Sequence, residues 1–256
     1  MTKRLRGPTI GVLAVFSLVA GAAAAQSGSG SSAGGDSRAQ GASNSNAAKK
    51  KIRLEDSTVI IEVNDTEGDA GLQFFLDGEP WRSMKVSRPG GKKLLNLKGT
   101  GRLRNWGLTE SFHETNEPPF DEVPLRKFLR RFPEGTYKFA GRTIEGRKLV
   151  GRGKLSHDIP NGPEITAPAA NSTVPHGDVE ANWAPVPEAG TEIEGWRVIV
   201  EREDPLRVYQ VELPASQTSV TIPSEFLESG VEYLIEIQTI EKSGNLTFSE
   251  HFFRVG

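Results

Sequence analysis

The stretch from Gly230 to Ile240, GVEYLIEIQTI, constrains the fold of this chain more than any other. A glycine turn leads into Tyr233, and apolar side chains then recur along the stretch, as at Ile235 and Ile237. A period of two is typical of a strand that buries one face. We therefore predict that this is the late strand and corner of a β-sandwich, around which the last third of the chain folds.

Short β-rich runs recur through the last hundred residues, with proline- and glycine-containing turns between them. They are Val179–Trp183, Trp196–Val200, Tyr209–Leu213, Ser219–Ile222 and Phe248–Val255. Strands at intervals of ~8–12 residues with turn signals between them indicate an all-β sandwich. We predict that residues 163–256 form one such domain, called here the second module.

The second module resembles a fibronectin type III domain. The run Trp183 to Pro185 resembles the tryptophan and following proline of the second strand, and Trp196 to Val198 resembles the aromatic-x-Val of the third. The run Leu227 to Tyr233 resembles the Leu-x-Pro-Gly-x-x-Tyr corner, with Ser229 where proline is usual. The resemblance implies a seven-strand sandwich in which the Tyr233 hydroxyl bonds to nearby backbone. It implies no activity, because a fold alone does not specify function.

The N-terminal 51 residues predict export and a tether rather than a folded domain. Residues 1–25 are predicted to be a signal peptide, with basic residues before the apolar run Gly11–Ala22 and an A-x-A site before Gln26. A membrane-spanning helix is the alternative, but the apolar run falls short of the ~20 residues that a span needs. Residues 26–51 are rich in Ser, Gly and Ala, which predicts a disordered linker.

The absence of cysteine limits both chemistry and origin. It excludes disulfides, Cys-ligated zinc and thiol catalysis. In an exported protein it also fits a bacterium better than a eukaryotic secretory pathway. We predict a secreted or periplasmic bacterial protein with no transmembrane segment after signal cleavage.

Residues 52–160, called here the first module, predict a second β-rich unit. Strands are expected at Val59–Val63, Leu72–Leu76 and Trp81–Val86, and the Asp77-Gly78 pair predicts a hairpin turn between the last two. A helix is predicted after Pro124, because four apolar residues follow at helical spacing. They are Leu125, Phe128, Leu129 and Phe132.

A glycine turn also leads into Tyr137 of the first module, which repeats the opening stretch in outline. We therefore predict an all-β chain with two tandem β-sandwich domains, Ig-like and fibronectin type III-like, the first with one short helix. A single β-rich fold of another kind is the alternative for residues 52–160.

Charge is divided unevenly between the two modules. Residues 52–160 hold 19 Lys and Arg against 16 Asp and Glu, whereas residues 161–256 hold 5 against 16. This division argues against whole-chain nucleic-acid binding.

Within the basic module, aromatic residues flank a run of Lys and Arg, an arrangement that can bind polyanions or sugars. We predict ligand contacts there, with core packing of the tryptophans as the alternative; the residues are Trp81, Arg102, Arg104 and Trp106.

Catalytic and metal-binding patterns are not evident in the sequence. Ser111 and His113 lie two apart on one predicted strand, but no nucleophile elbow or paired Asp accompanies them. The acidic turn 64–71 suggests calcium, yet counting from Asp65 it lacks the glycine that an EF-hand needs at its sixth position. We predict no enzyme activity, no metal and no cofactor.

The combined pattern predicts an exported, non-enzymatic binding or scaffolding protein of the bacterial cell envelope or extracellular space. Its partner is expected to be an unidentified protein or an envelope polysaccharide. Two alternatives remain open. One is a carbohydrate-binding or accessory module that acts beside an enzyme, and the other is an enzyme with an unrecognised site in residues 52–160.

Overall fold

A computed structural model describes residues 51–185, 187 and 190–256 of the chain. The predicted signal peptide, and the predicted linker except for Lys51, lie outside these residues. Two sheets of twelve and three strands account for most of the described chain, which confirms the predicted all-β class. No helix in this part of the chain has the length and apolar character needed to cross a membrane.

The described part of the first module contains seven strands and two short helices. In chain order they are β1 (Ile52–Arg53), β2 (Asp56–Asn64), β3 (Asp69–Ser87), β4 (Lys93–Lys98), α1 (Leu103–Trp106), β5 (Leu108–Glu114), α2 (Leu125–Arg131), β6 (Gly135–Thr143) and β7 (Lys148–Leu155). A single 3-10 turn at Pro89–Gly91 precedes β4. Helix α2 confirms the predicted helix, whereas the single turn α1 was not predicted.

The predicted hairpin at Asp77-Gly78 is wrong, because β3 continues through it for 19 residues. The first half of β3 lies between β2 and β5, and the second half lies between β4 and β6. The pairing with β5 shifts register between Asp77 and Trp81, and a Cβ at Gly78 would come within 2.9 Å of Leu54 Cδ2. The Asp-Gly pair therefore marks a bulge and a close approach inside a bent strand.

One hydrophobic core fills the first module. The strand order is β1-β7-β6-β3-β2, with β4 and β5 added to the free sides of β3. The inner face of β2 approaches β7, where the Arg152 amide donates to Ser57 Oγ at 3.0 Å. Fully buried members of this core are Ile61, Leu72, Leu76, Trp81, Met84, Tyr137, Phe139, Leu149 and Leu155. Phe128 of α2 joins the same core.

The second module is a sandwich of two sheets. Its strands in the described residues are β8 (Glu164–Ala167), β9 (Thr173–Val174), β10 (Val179–Ala184), β11 (Ile193–Arg202), β12 (Arg207–Pro214), β13 (Ser219–Ile222), β14 (Glu232–Glu241) and β15 (Leu246–Val255). The order β13-β10-β8 forms one sheet, and the order β15-β14-β11-β12 forms the other. Trp183 and Trp196 meet edge to face between them, with ring centroids 5.9 Å apart.

Tyr233 forms the corner that the resemblance implies. Its buried hydroxyl accepts a hydrogen bond from the Glu228 amide at 2.8 Å. Its ring lies 5.7 Å from the rings of Phe226 and Phe253. The arrangement of strands, paired tryptophans and tyrosine corner is a fibronectin type III-like sandwich, as the resemblance implies. Tyr137 in the first module has a related role, since its hydroxyl donates to the Pro133 carbonyl at 3.1 Å.

A parallel pairing of β15 with β2 joins the two modules into one continuous sheet. Leu246 pairs with Glu62, and Phe248 pairs with Asn64. Beside this pairing, the Asn245 side chain is buried and donates to the Ser156 and Asp158 carbonyls at 3.1 Å each. Sequence periodicity within either module contains no sign of this connection.

Candidate functional site

The most exposed large apolar residue of the described chain lies on the loop between β4 and β5. We call residues 99–107 the Trp106 loop. The indole of Trp106 is 81% exposed and Leu103 is 50% exposed. The side chains of Arg102 and Arg104 are also exposed beside them. The four residues form one turn of apolar and cationic groups that faces solvent.

Backbone hydrogen bonds give the Trp106 loop a defined conformation. At its start the Gly99 amide donates to the Arg82 carbonyl at 2.9 Å, and at its end the Gly107 amide donates to the Leu103 carbonyl at 2.9 Å. Gly107 has φ 81°, and a Cβ there would lie 2.9 Å from Pro80 Cβ. Only glycine fits this close approach, which seats the base of the loop against the body of the module.

The structure separates the two tryptophans that the sequence grouped together. Trp81 is fully buried, and its Nε1 donates to the Thr109 carbonyl at 3.2 Å. Its assignment to a ligand surface is therefore wrong, and its role is to fill the core. Trp106 retains the exposure that ligand contact requires, and Arg102 and Arg104 lie on the same turn.

The cations of the Trp106 loop take no part in the ion pairs of the described residues. Neither Arg102 nor Arg104 forms one there, whereas Arg147 of the same module pairs with Glu79. An unpaired guanidinium offers five donors and a planar surface to an anionic or hydroxyl-bearing ligand. The turn is therefore suited to binding and carries no group positioned for proton transfer.

A separate group of three carboxylates lies near the junction of the modules. Oxygen atoms of Glu62, Glu114 and Glu117 lie within 4.8 Å of one another. Burial raises the pKa of Glu62 well above its ordinary range, and the nearby Glu236 charge adds to the effect. Burial is the largest cause, and the nearby Glu114 charge the second, of a rise in the pKa of Glu117 to about 7. Among the described residues, this group offers the carboxylate oxygens that a hard divalent cation prefers as ligands. Acidic clusters are also common without a bound metal ion.

The predicted proximity of Ser111 and His113 is present in the structure. Ser111 Oγ and His113 Nε2 lie 2.7 Å apart on β5. Burial lowers the pKa of His113, which favours its neutral form. Within the described residues no carboxylate hydrogen-bonds the imidazole, so the third group that orients a catalytic base is missing. We assign no catalysis to this pair.

A shallow cleft of about 440 Å³ lies where the two modules meet. Its lining includes side chains of both charge signs, among them Lys154, Asp158, Glu192 and Glu241. Mixed charges that face solvent do not converge on one reacting position. The cleft therefore adds no further candidate.

Comparisons with known proteins give no family assignment. No protein-family model matches the chain, and no curated protein matches it. Among solved structures, it is similar to a segment of two fibronectin type III domains of chicken tenascin, with 14% identity, 78% of this chain and 99% of that chain covered, and a TM-score of 0.30. It is also similar to a myokine structure, with 16% identity, 37% of this chain and 96% of that chain covered, and a TM-score of 0.30.

A bacterial ice-binding adhesin is a third similar structure, with 14% identity, 81% of this chain and 66% of that chain covered, and a TM-score of 0.29. Similarities at these TM-scores carry no argument about function. The description of the second module as a fibronectin type III-like sandwich rests instead on its strand order, its core and the corner at Tyr233.

Proposed function

We propose that this protein is an exported, non-enzymatic binding protein of the bacterial cell envelope or extracellular space, and that the Trp106 loop contacts its ligand. The observation that carries the proposal is the 81% exposure of an indole on a hydrogen-bonded turn. Leaving apolar area in water forgoes roughly 25 cal/mol per Å² of burial. An exposed tryptophan held in a fixed conformation is a common feature of binding surfaces.

The chemistry of the loop favours a polysaccharide with acidic groups as the ligand. An indole face packs against the apolar face of a sugar ring, and Arg102 and Arg104 supply unpaired donors for hydroxyl and acidic groups. An envelope polysaccharide meets these requirements, and a secreted or periplasmic location follows from the signal-like pattern in residues 1–25. A protein partner is the second candidate, because Leu103 is also exposed on the same turn.

The second module suits a supporting role. Its hydrogen-bonded junction with the first module holds the Trp106 loop on a larger β-rich body. In the alternative of an accessory module acting beside an enzyme, the same loop would bind the polymer that the enzyme processes.

A glycan array with the purified protein tests this proposal, using envelope polysaccharides and neutral glycans as probes. We expect the wild-type protein to bind at least one polysaccharide and Trp106→Ala to lose that binding. Leu206→Ala is the matched control, because Leu206 is 60% exposed but lies in the second module. Equal binding by both variants would overturn the role of the loop, and no binding to any glycan would overturn the polysaccharide ligand.

A further inference from the structure

The outer side of the sheet in the first module concentrates positive charge that the sequence disperses. Strand pairing brings outward-facing residues of β4, β3, β6, β7 and β1 onto one surface. We call its nine basic residues the basic face, and all of them are exposed. They are Arg53, Lys85, Lys93, Lys98, Lys138, Arg142, Lys148, Arg152 and Lys154. The strand positions between them on this side are neutral, and none carries a carboxylate.

Two cross-strand pairs on the basic face place like charges directly opposite each other. Lys138 of β6 pairs with Arg152 of β7, and Arg142 pairs with Lys148. Like charges in directly opposed positions destabilise a sheet. Among the described residues, none of the nine forms an ion pair. The two cations of each opposed pair therefore repel each other, with no ion pair among the described residues to offset the repulsion, although Arg142 Nη1 donates to the Gly146 carbonyl at 2.9 Å.

Protection of a sheet edge does not explain this arrangement. Lysines on edge strands prevent one sheet from pairing with another. However, Lys138 and Arg142 lie on β6, which has β3 on one side and β7 on the other. Because β6 is an inner strand, its charges cannot protect a sheet edge. A bound anion is the better explanation for these two cations.

We infer that the basic face binds an acidic polysaccharide along its length. Neighbouring strands lie ~4.8 Å apart and alternate residues along a strand lie ~6.7 Å apart, so the charges form a grid wider than any small anion. A polymer with regularly repeated carboxylate, sulfate or phosphate groups can pair with several of these cations at once. The inference rests on the proposed function in treating the protein as a binding protein, yet the face contains no residue of the Trp106 loop.

The side chains of the basic face favour a polysaccharide over a membrane or a nucleic acid. Binding to single-stranded nucleic acid adds base stacking on aromatic side chains, and membrane association adds insertion of apolar ones. The neutral positions of the face are Ser83, Ser87, Asn96, Thr136, Ala140 and Val150. None of them is aromatic, and Val150 is the only apolar one larger than alanine. The surface therefore offers charge without stacking or insertion.

Charge reversal on the face, compared with an equal reversal elsewhere, tests the inference. The face variant is Lys138→Glu with Arg152→Glu, and the matched control is Arg126→Glu with Lys127→Glu on α2, where both side chains are exposed. Binding to two acidic polysaccharides, heparin and polygalacturonate, and to anionic lipid vesicles and single-stranded DNA is measured by titration at several salt concentrations. Circular dichroism establishes that each variant folds, and Trp106→Ala is measured in parallel.

We expect the wild-type protein to bind at least one of the two polysaccharides, with an affinity that falls steeply with salt because counter-ions are released. The face variant should bind about tenfold or more weakly, while the α2 control should change by less than about threefold. Equal weakening of both variants, or no binding of the wild-type protein to either polysaccharide, whether or not vesicles or single-stranded DNA bind, would overturn the inference. A Trp106→Ala protein that still binds polyanion while the face variant does not would separate this surface from the loop.

Discussion

The side-chain oxygen of Asn245 accepts a hydrogen bond from the backbone N–H of Ile61 at 2.9 Å, and these two residues belong to different modules. The amide nitrogen of the same side chain donates to the Ser156 and Asp158 carbonyls. One buried side chain thus connects β2 and the end of the first module to the turn before β15. The Asn-Leu-Thr sequence here has the pattern of a glycosylation site, but a buried, bonded amide is not available for modification.

Replacing Asn245 with alanine should therefore weaken the whole structure. The change leaves the buried Ile61 amide without an acceptor, and an unsatisfied buried polar group costs about 1–3 kcal/mol. We expect a loss of about 2–4 kcal/mol in urea unfolding when the lost donor bonds are included. Asn182→Ala is the control, because Asn182 is half-buried on β10. Equal midpoints for the two variants would show that the junction does not depend on Asn245.

The two buried tyrosine corners should contribute similarly to stability. Tyr137→Phe and Tyr233→Phe each remove a hydroxyl that is bonded to backbone, at Pro133 and Glu228 respectively. The net worth of one such bond is about 1 kcal/mol, which denaturant unfolding can resolve. Tyr209→Phe removes a more exposed bond to the Thr221 carbonyl and should cost less. If the unfolding midpoint of Tyr137→Phe equals that of the wild-type protein, the Tyr137 hydroxyl does not stabilise the first module.

The half-buried carboxylates Glu117 and Asp69 should make the protein less stable as pH rises towards 8. Burial raises the pKa of Glu117 to about 7 and that of Asp69 to about 6, so the folded state binds more protons than the unfolded state between about pH 4.5 and 7. Stability from these groups is present at low pH and is lost as pH passes the folded pKa. His113, whose pKa burial lowers, acts in the opposite direction.

Glu117→Gln should flatten this dependence. Because Glu117 is partly exposed, solvent screening reduces the effect to the order of 1 kcal/mol at pH 8. Thermal unfolding of wild type and variant from about pH 5 to 8 measures it. The variant should be the more stable protein at pH 8 and should gain little at pH 5. A variant that loses stability at pH 8 would show that the Glu117 charge is stabilising.

Truncation of the buried and of the exposed tryptophan in the first module should change stability by very different amounts. Trp81→Ala removes a large core side chain and should cost about 3–5 kcal/mol. Trp106→Ala removes a side chain that is mostly in solvent and should change stability by less than about 0.5 kcal/mol. Differential scanning calorimetry distinguishes the cases. A large loss in Trp106→Ala would make the loop a structural element.

Local pattern was sufficient to predict much of the fold. The strand around Tyr233 was predictable because a glycine turn and a period of two occur together, and helix α2 because its apolar stripe is regular. The Asp77-Gly78 pair led to the wrong prediction of a hairpin turn, because a bulge in a bent strand favours the same residue types. The bend in β3 depends on which strands pair with each half, and no local signal records that choice.

The candidate surfaces were predictable only in part. Trp106 lies between Asn105 and Gly107, which indicated exposure, and it is exposed. Trp81 starts a predicted strand, which favoured core packing, and it is buried although it was also grouped with the ligand contacts. The basic face was missed because Lys138 and Arg152 are neighbours through pairing, not through sequence. The carboxylate group near Glu62 was missed for the same reason, since its members come from β2, β5 and the segment that follows β5.

Tryptophan fluorescence reports directly on ligand contact by the Trp106 loop, because Trp106 is the exposed indole while Trp81, Trp183 and Trp196 are buried. The purified protein is titrated with a bacterial cell-wall polysaccharide extract while iodide quenching is followed. We predict that quenching falls as the ligand covers Trp106, and that Trp106→Phe shows no such change. Undiminished quenching of the wild-type protein at saturating polysaccharide, or an identical response from Trp106→Phe, would contradict the account.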